Sequence, residues 1–261
     1  MSEVGQPGSR EEVPPQQGKR PQALRRVARN WFWWWLSRTS VYWLSRVWFR
    51  LRIEGLQNVP RTGPVVFVTN HSSYLDPPLV GVTAPRWVGF LAQEGLAKFG
   101  PLRWWLRQIG VTLIDRNAPS KDAMRLMSDC LHAGEAVGIF PEGTRSRDGA
   151  IAPFRTGVEF LVRRSGAPVV PVGIEGAWRA LPRGAWLPRP RKIIMRYGEV
   201  WPAARVLAPG GTEAVRARVA ELANAPLADS SPGRSAARPA VAGEATPSAG
   251  TSTGSSAGSA S

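Results

Sequence analysis

Three short stretches of this chain gather side chains that can act together on a proton or an anion. The first is Thr69-Asn70-His71-Ser72-Ser73-Tyr74-Leu75-Asp76, where a histidine follows an apolar run and an aspartate stands five residues further on. A carboxylate bonded to one imidazole nitrogen fixes the ring tautomer and leaves the other nitrogen to take a proton from a hydroxyl, which is general-base chemistry. On a continuous helix five residues separate two side chains by about 140°. Pairing therefore requires the segment to bend, with His71 close to a helix start. A loop histidine and a helix-capping aspartate fit the same text, and the pair alone does not choose. The second stretch, Phe140 to Gly149, holds Glu142, Gly143, Thr144, Arg145, Ser146 and Arg147. Arginine forks bind phosphate bidentately and glycine lets backbone approach closely, so this is a plausible anion cradle. Pro-Glu and Asp-Gly are also ordinary turn text. The third, Gly110 to Arg116, sets Arg116 after another apolar run.

What must position these residues is a sheet. Short β-branched runs occur at Val65–Val68, Val111–Ile114, Val137–Phe140, Val169–Ile174 and Lys192–Tyr197. Helical patterns fall between or after them at Leu96–Gln108, Ser120–Ala133, Gly157–Ser165 and Glu213–Asn224. Continuous apolar strands alternating with helices predict an α/β fold, with a mostly parallel or mixed central sheet flanked by helices. Ligands of such sheets sit at the carboxyl ends of the strands, where all three stretches fall.

Ahead of this pattern, Trp31–Phe49 carries six of the 12 tryptophans, interrupted by Arg38 and Arg46. A spanning helix wants about 20 apolar residues without central charge. Tryptophan favours the headgroup level and arginine pairs with anionic lipid, so this segment reads as an interfacial membrane-anchor helix rather than a clean span. A core helix covering the sheet is the plainer alternative. The expected organisation is disorder over 1–22, the interfacial helix over 23–50, the chemical domain over 51–225, and a disordered low-complexity tail over 226–261. The tail's Gly250-Thr251-Ser252-Thr253-Gly254 matches GxSxG, but no strand precedes it and no helix follows, so it is set aside.

The net charge of +15 points to an anionic partner. One cysteine, Cys130, and two histidines leave no internal disulfide and no histidine- or cysteine-rich metal centre to expect. Cys130 reads as a small buried hydrophobe. The first thirty residues lack a signal-peptide shape, which predicts retention in the cytoplasm.

Taken in order, the blocks resemble the glycerolipid acyltransferase family typified by 1-acyl-glycerol-3-phosphate acyltransferases. Asn70–Asp76 is similar to its NHxxxxD motif, Gly110–Arg116 to its second block, Phe140–Ser146 to its third, and Val170-Pro171-Val172-Gly173-Ile174 to its fourth. The likeness runs over about residues 50–205. It implies that His71 is the base that deprotonates the acceptor hydroxyl and that Asp76 orients it. It implies an acceptor phosphate near Arg116, Glu142, Gly143, Thr144 and Arg145, with Arg155 as a further contact, and an acyl-donor region at Pro171. The implied co-substrate is a thioester, acyl-CoA or acyl carrier protein, with no cofactor and no metal. The implied partners are a lysophospholipid acceptor and an anionic membrane, and the implied place is the cytoplasmic face of the cell membrane, peripheral or monotopic. Lysophosphatidic acid is the leading acceptor. Glycerol-3-phosphate, a lyso-ornithine lipid and a lyso-glycolipid would use the same base. A non-catalytic, basic, Trp-rich module that binds anionic membrane or single-stranded nucleic acid is set aside because it leaves the strand-end constellation unexplained.

Overall fold

The computed structural model describes residues 31–93, 111–114 and 120–228. In chain order these form helix α1 (Trp31–Trp48), β1 (Arg52–Glu54), a 3-10 turn at Leu56–Asn58, β2 (Val65–Thr69), α2 (Asp76–Thr83), β3 (Val88–Gln93) and β4 (Val111–Ile114). They continue with α3 (Ser120–His132), β5 (Ala136–Ile139), α4 (Gly157–Ser165), β6 (Val169–Glu175), α5 (Ala177–Ala180), β7 (Ile194–Tyr197), α6 (Ala203–Leu207) and α7 (Gly211–Ala223).

Seven strands form one mixed sheet in the order β1-β7-β6-β2-β5-β3-β4. β6, β2, β5, β3 and β4 run parallel to one another, while β7 pairs antiparallel with β6 and carries β1 parallel at the edge. β2 lies between β6 and β5, and its alternation shows why it reads as one apolar run. Val65 and Phe67 face one core with Leu79, Phe90 and Tyr197, whereas Val66 and Val68 face another with Leu131, Val137 and Leu161. A strand covered on both faces has no polar side. Predicted strand and helix positions agree with the observed ones to within a few residues, and Gly157–Ser165 agrees at both ends. The Leu96–Gln108 helix lies outside the described residues.

Helix α1 answers the anchor expectation in one respect and corrects it in another. Its face bearing Leu36, Trp43, Leu44 and Val47 is exposed, with Trp43 at 61% and Val47 at 76%. Its arginines bond to backbone carbonyls, Arg38 half-buried and Arg46 exposed. Arg38 donates to the carbonyls of Val82 (3.2 Å) and Ala84 (2.7 Å) at the end of α2, and Arg46 donates to the carbonyl of Leu51. Those carbonyls lie at helix and segment ends without an intrahelical donor, so a guanidinium satisfies them there. The two arginines thus fasten the helix to the domain, and the apolar face is left uninterrupted. No helix among the described residues is long and apolar enough to cross a membrane. At the other end, hydrogen-bonded backbone runs past the expected limit of 225: the Ile151 N–H donates to Pro226 (2.9 Å) and the Ala228 N–H to Ile151 (3.0 Å).

Candidate active site

The carboxyl ends of β2, β5 and β6 lie side by side, so the segments leaving them meet at one edge of the sheet. β2 ends at Thr69, but its ladder with β6 is extended by a side chain. The Asn70 amide donates to the Ile174 carbonyl (3.0 Å) and accepts from the Ile174 N–H (2.9 Å). This two-point bond fixes where the chain leaves the sheet, one residue before His71.

From there the backbone turns and enters α2 at Asp76. Pro77 and Pro78 occupy the first turn of that helix, where a missing N–H costs nothing and the fixed φ suits the entry. Asp76 is fully buried, and its Oδ2 accepts three donors: the Ser72 N–H (2.7 Å), the Ser73 N–H (2.7 Å) and the His71 ring Nδ1 (3.0 Å). The required bend is therefore made by the carboxylate itself, which gathers the turn around one oxygen. With Nδ1–H donating to Asp76, Nε2 carries the ring's free lone pair, and among the described residues nothing bonds to it. The ring retains 20% exposure and stacks on Phe140 at 4.2 Å, which in turn stacks on Phe90 at 5.7 Å. His71 is thus held in plane on one nitrogen and open at the other.

The segment after β5 closes the site from the opposite side. Glu142 is buried, its Oε1 accepting the His71 N–H (2.7 Å) and its Oε2 the Ala152 N–H (3.0 Å). Burial pushes its carboxyl above the ordinary value, partly offset by those two donors. The sequence expectation set Glu142 among phosphate contacts. The structure engages both of its oxygens with backbone N–H groups, so it holds the His71 backbone in place. The His71 carbonyl also accepts the Ser146 N–H (2.7 Å), so this loop grips His71 at both its N–H and C=O.

Of the expected phosphate contacts, Gly143, Thr144 and Arg145 lie in this same loop. Gly143 adopts φ 71°, and a Cβ there would come within 2.6 Å of the Arg155 Nε, so glycine serves both the turn and the close approach of that guanidinium. Arg145 lies flat over the Tyr74 ring at 3.4 Å, a cation–π contact that bridges the two loops. Its Nη1 is buried without a hydrogen-bond partner. Pro171 lies within β6, opposite Val68 in β2. Arg116, Trp104 and Trp105 fall outside the described residues. Three contributors were not singled out by sequence: the Ser72 and Ser73 backbone donors, the Asn70 amide and the Tyr74 platform. Asn70 had a readable signal, being an amide side chain directly after a buried strand. The others depend on the turn geometry.

An acyltransferase family model matches residues 50–175. The chloroplastic 1-acyl-sn-glycerol-3-phosphate acyltransferase BAT2 of Brassica napus is 30% identical over 155 residues, covering 58% of this chain and 43% of that protein. The lyso-ornithine lipid O-acyltransferase of Pseudomonas aeruginosa is 31% identical over 143 residues, covering 54% of this chain and 52% of that protein. The chain thus spans about half the length of the curated relatives it matches. Among solved structures, the 1-acyl-sn-glycerophosphate acyltransferase PlsC of Thermotoga maritima shares the fold, with a TM-score of 0.61 and 24% identity over 77% of this chain and 85% of that one.

Proposed function

We propose that this chain is a member of the acyltransferase family whose model matches residues 50–175, and that it moves a fatty acyl group from a thioester to the free hydroxyl of lysophosphatidic acid, giving phosphatidic acid. The observation that carries the reading is the 3.0 Å contact between His71 Nδ1 and buried Asp76, with Nε2 unbonded at the open edge of the sheet.

The acceptor hydroxyl donates to Nε2. As its oxygen attacks the thioester carbonyl carbon, the proton passes to His71, and the imidazolium that forms lies against the Asp76 carboxylate. The tetrahedral intermediate then expels the thiolate, which takes the proton from Nε2, leaving ester and free thiol. No enzyme nucleophile is required. A positioned base contributes about 10²- to 10⁴-fold, and holding the two substrates together contributes more. Arg145, with its unpartnered Nη1, is our first choice for the acceptor phosphate, helped by Gly143, Thr144 and, beyond the described residues, Arg116. We assign the donor, acyl-CoA or acyl carrier protein, to the side of β6 that carries Pro171. The exposed apolar face of α1 supports peripheral or monotopic attachment to a membrane, and we assign the attachment to its cytoplasmic face.

A second acceptor, lyso-ornithine lipid, is favoured by one specific finding, the likeness to the lyso-ornithine lipid O-acyltransferase of Pseudomonas aeruginosa. The deciding assay offers lysophosphatidic acid, lyso-ornithine lipid and glycerol-3-phosphate separately, with oleoyl-CoA and with oleoyl carrier protein, and follows the ester product. Lysophosphatidic acid is expected to give the highest kcat/KM. Preference for lyso-ornithine lipid moves the assignment to that acceptor, and no ester from any pair refutes acyl transfer.

A further inference from the structure

Between α5 and β7 the chain makes an excursion that the site does not explain. It leaves at Leu181 and returns at Ile193, and it is a closed loop: the Arg189 N–H donates to the Ala180 carbonyl (2.7 Å) across its neck, and the Ala185 N–H donates to Pro182 (3.1 Å) inside it. At its tip stand Trp186, 89% exposed, and Leu187, 63% exposed. Pro182, Pro188 and Pro190 restrict the backbone, so the apolar pair is presented on a stiff support rather than left to fold back. Two adjacent large apolar side chains that a built loop holds in the open mark a surface that meets a non-aqueous partner.

Two further observations choose the partner. From Leu181 to Lys192 there is no acidic residue, while Arg183 and Arg189 are exposed on either side of the tip and Arg191 and Lys192 are exposed at its root. An apolar tip flanked by exposed arginines fits an anionic bilayer: indole rests at the headgroup level and the guanidinium groups meet lipid phosphate. The loop is also joined to α1, 140 residues away in sequence, because the Trp48 indole donates to the Pro188 carbonyl (3.3 Å). The exposed residues Trp43, Leu44 and Val47 of that helix therefore continue one surface with the tip.

We propose that the Leu181–Lys192 loop is a second membrane-docking element, which inserts Trp186 and Leu187 into the interface of an anionic bilayer beside α1. Its root reaches the site: the Leu181 carbonyl accepts the Ser73 hydroxyl (3.0 Å), and the Ser73 N–H is one of the three donors on Asp76. Docking through this loop sets the His71 edge of the sheet against the surface that delivers the acceptor. That consequence rests on the reading of the acceptor as a membrane lipid; the docking itself does not.

The test uses the full chain with vesicles of phosphatidylcholine containing phosphatidylglycerol, and with pure phosphatidylcholine. Partitioning of the wild type is compared with the double variant W186A/L187A and with R183Q/R189Q. The first is expected to lower the partition coefficient by roughly tenfold or more through lost apolar burial, and the second to lower it only on the anionic vesicles, by roughly fivefold per cation. Both should unfold at the wild-type temperature, since these side chains are exposed. In a parallel experiment Leu187→Cys carries an environment-sensitive fluorophore, the native Cys130 being buried; its emission should shift to the blue when anionic vesicles are added. Unchanged partitioning in W186A/L187A, or no emission shift at position 187, overturns the proposal. Self-association without lipid that W186A/L187A abolishes also overturns it and assigns the surface to a second copy. If the loop docks but no acceptor is acylated, the docking stands and the proposed function fails; if transfer occurs but partitioning ignores the loop, the reverse holds.

Discussion

Replacing Asp76 by Asn separates the role of its charge from the role of its shape. Oδ2 accepts the His71 ring and the Ser72 and Ser73 N–H groups, whereas Oδ1 is buried with no partner. Asparagine can put its carbonyl at the Oδ2 position and keep all three contacts, which leaves its NH₂ at the empty position. Stability falls for two reasons. The three bonds lose their charge assistance, and a buried NH₂ goes unsatisfied at a cost of about 1–3 kcal/mol. At 2–4 °C per kcal/mol for a domain of this size, Tm should fall by about 2–12 °C. Chemistry suffers more, because the imidazolium formed during transfer loses the carboxylate facing it; kcat should drop by about 10²- to 10⁴-fold with little change in acceptor KM. Asp76→Ala, by contrast, strands three donors at once and is expected to compromise folding. The assay is thiol release from oleoyl-CoA alongside a thermal melt. Wild-type kcat in Asp76→Asn would refute the role of the charge. A loss of activity that merely tracks unfolding at the assay temperature would reduce Asp76 to a structural residue.

Three other outcomes follow from the same geometry. In Glu142→Gln one of the two backbone donors meets an NH₂ instead of an oxygen, so activity should fall through misplacement of His71, at a stability cost of about 1–3 kcal/mol. Because burial raises the Glu142 pKa, the folded state holds that proton more tightly than the unfolded one. Its contribution therefore declines as pH rises from the ordinary value of 4.5 through the raised one, and the variant should lack this decline in urea titrations across pH. Gly143→Ala forces a side chain into the left-handed region and against Arg155, which predicts about 1–2 kcal/mol of destabilisation by calorimetry and a raised acceptor KM. Cys130, whose thiol burial pushes up to about 11, should resist thiol reagents at pH 8 until the protein is denatured; rapid labelling of the native protein would contradict its packing.

What sequence made legible was whatever repeats along the chain. The parallel strands β2, β5 and β6 stood out because they are covered on both faces and so are apolar without interruption. α4 stood out through its helical pattern, and the structure closes it at Gly166. β1 has three residues and β3 contains Gly89, too little text for a pattern, while Asp76-Pro77-Pro78 at the start of α2 looks like a turn until the helix beyond it is seen. The antiparallel direction of β7 is set by the long excursion from Leu181 and carries no local signal. At the site, the identities of His71 and Asp76 were readable, and the bend that joins them followed from counting residues. Glu142 was harder, because nothing in the letter shows that its two oxygens meet the His71 and Ala152 N–H groups. Arg38 and Arg46 were harder still: an arginine in a Trp-rich helix reads as lipid-facing, and only the positions of the Val82, Ala84 and Leu51 carbonyls show that it bonds to the protein's own backbone.

The central claim is that His71 takes the proton of an acceptor hydroxyl during acyl transfer. It is tested most directly by measuring ester formation from oleoyl-CoA and lysophosphatidic acid in wild type and His71→Ala, with matched melting curves to establish that both are folded. The account predicts ester from the wild type and a loss of about 10²-fold or more in kcat for the folded variant. Equal rates in the two folded proteins would contradict it.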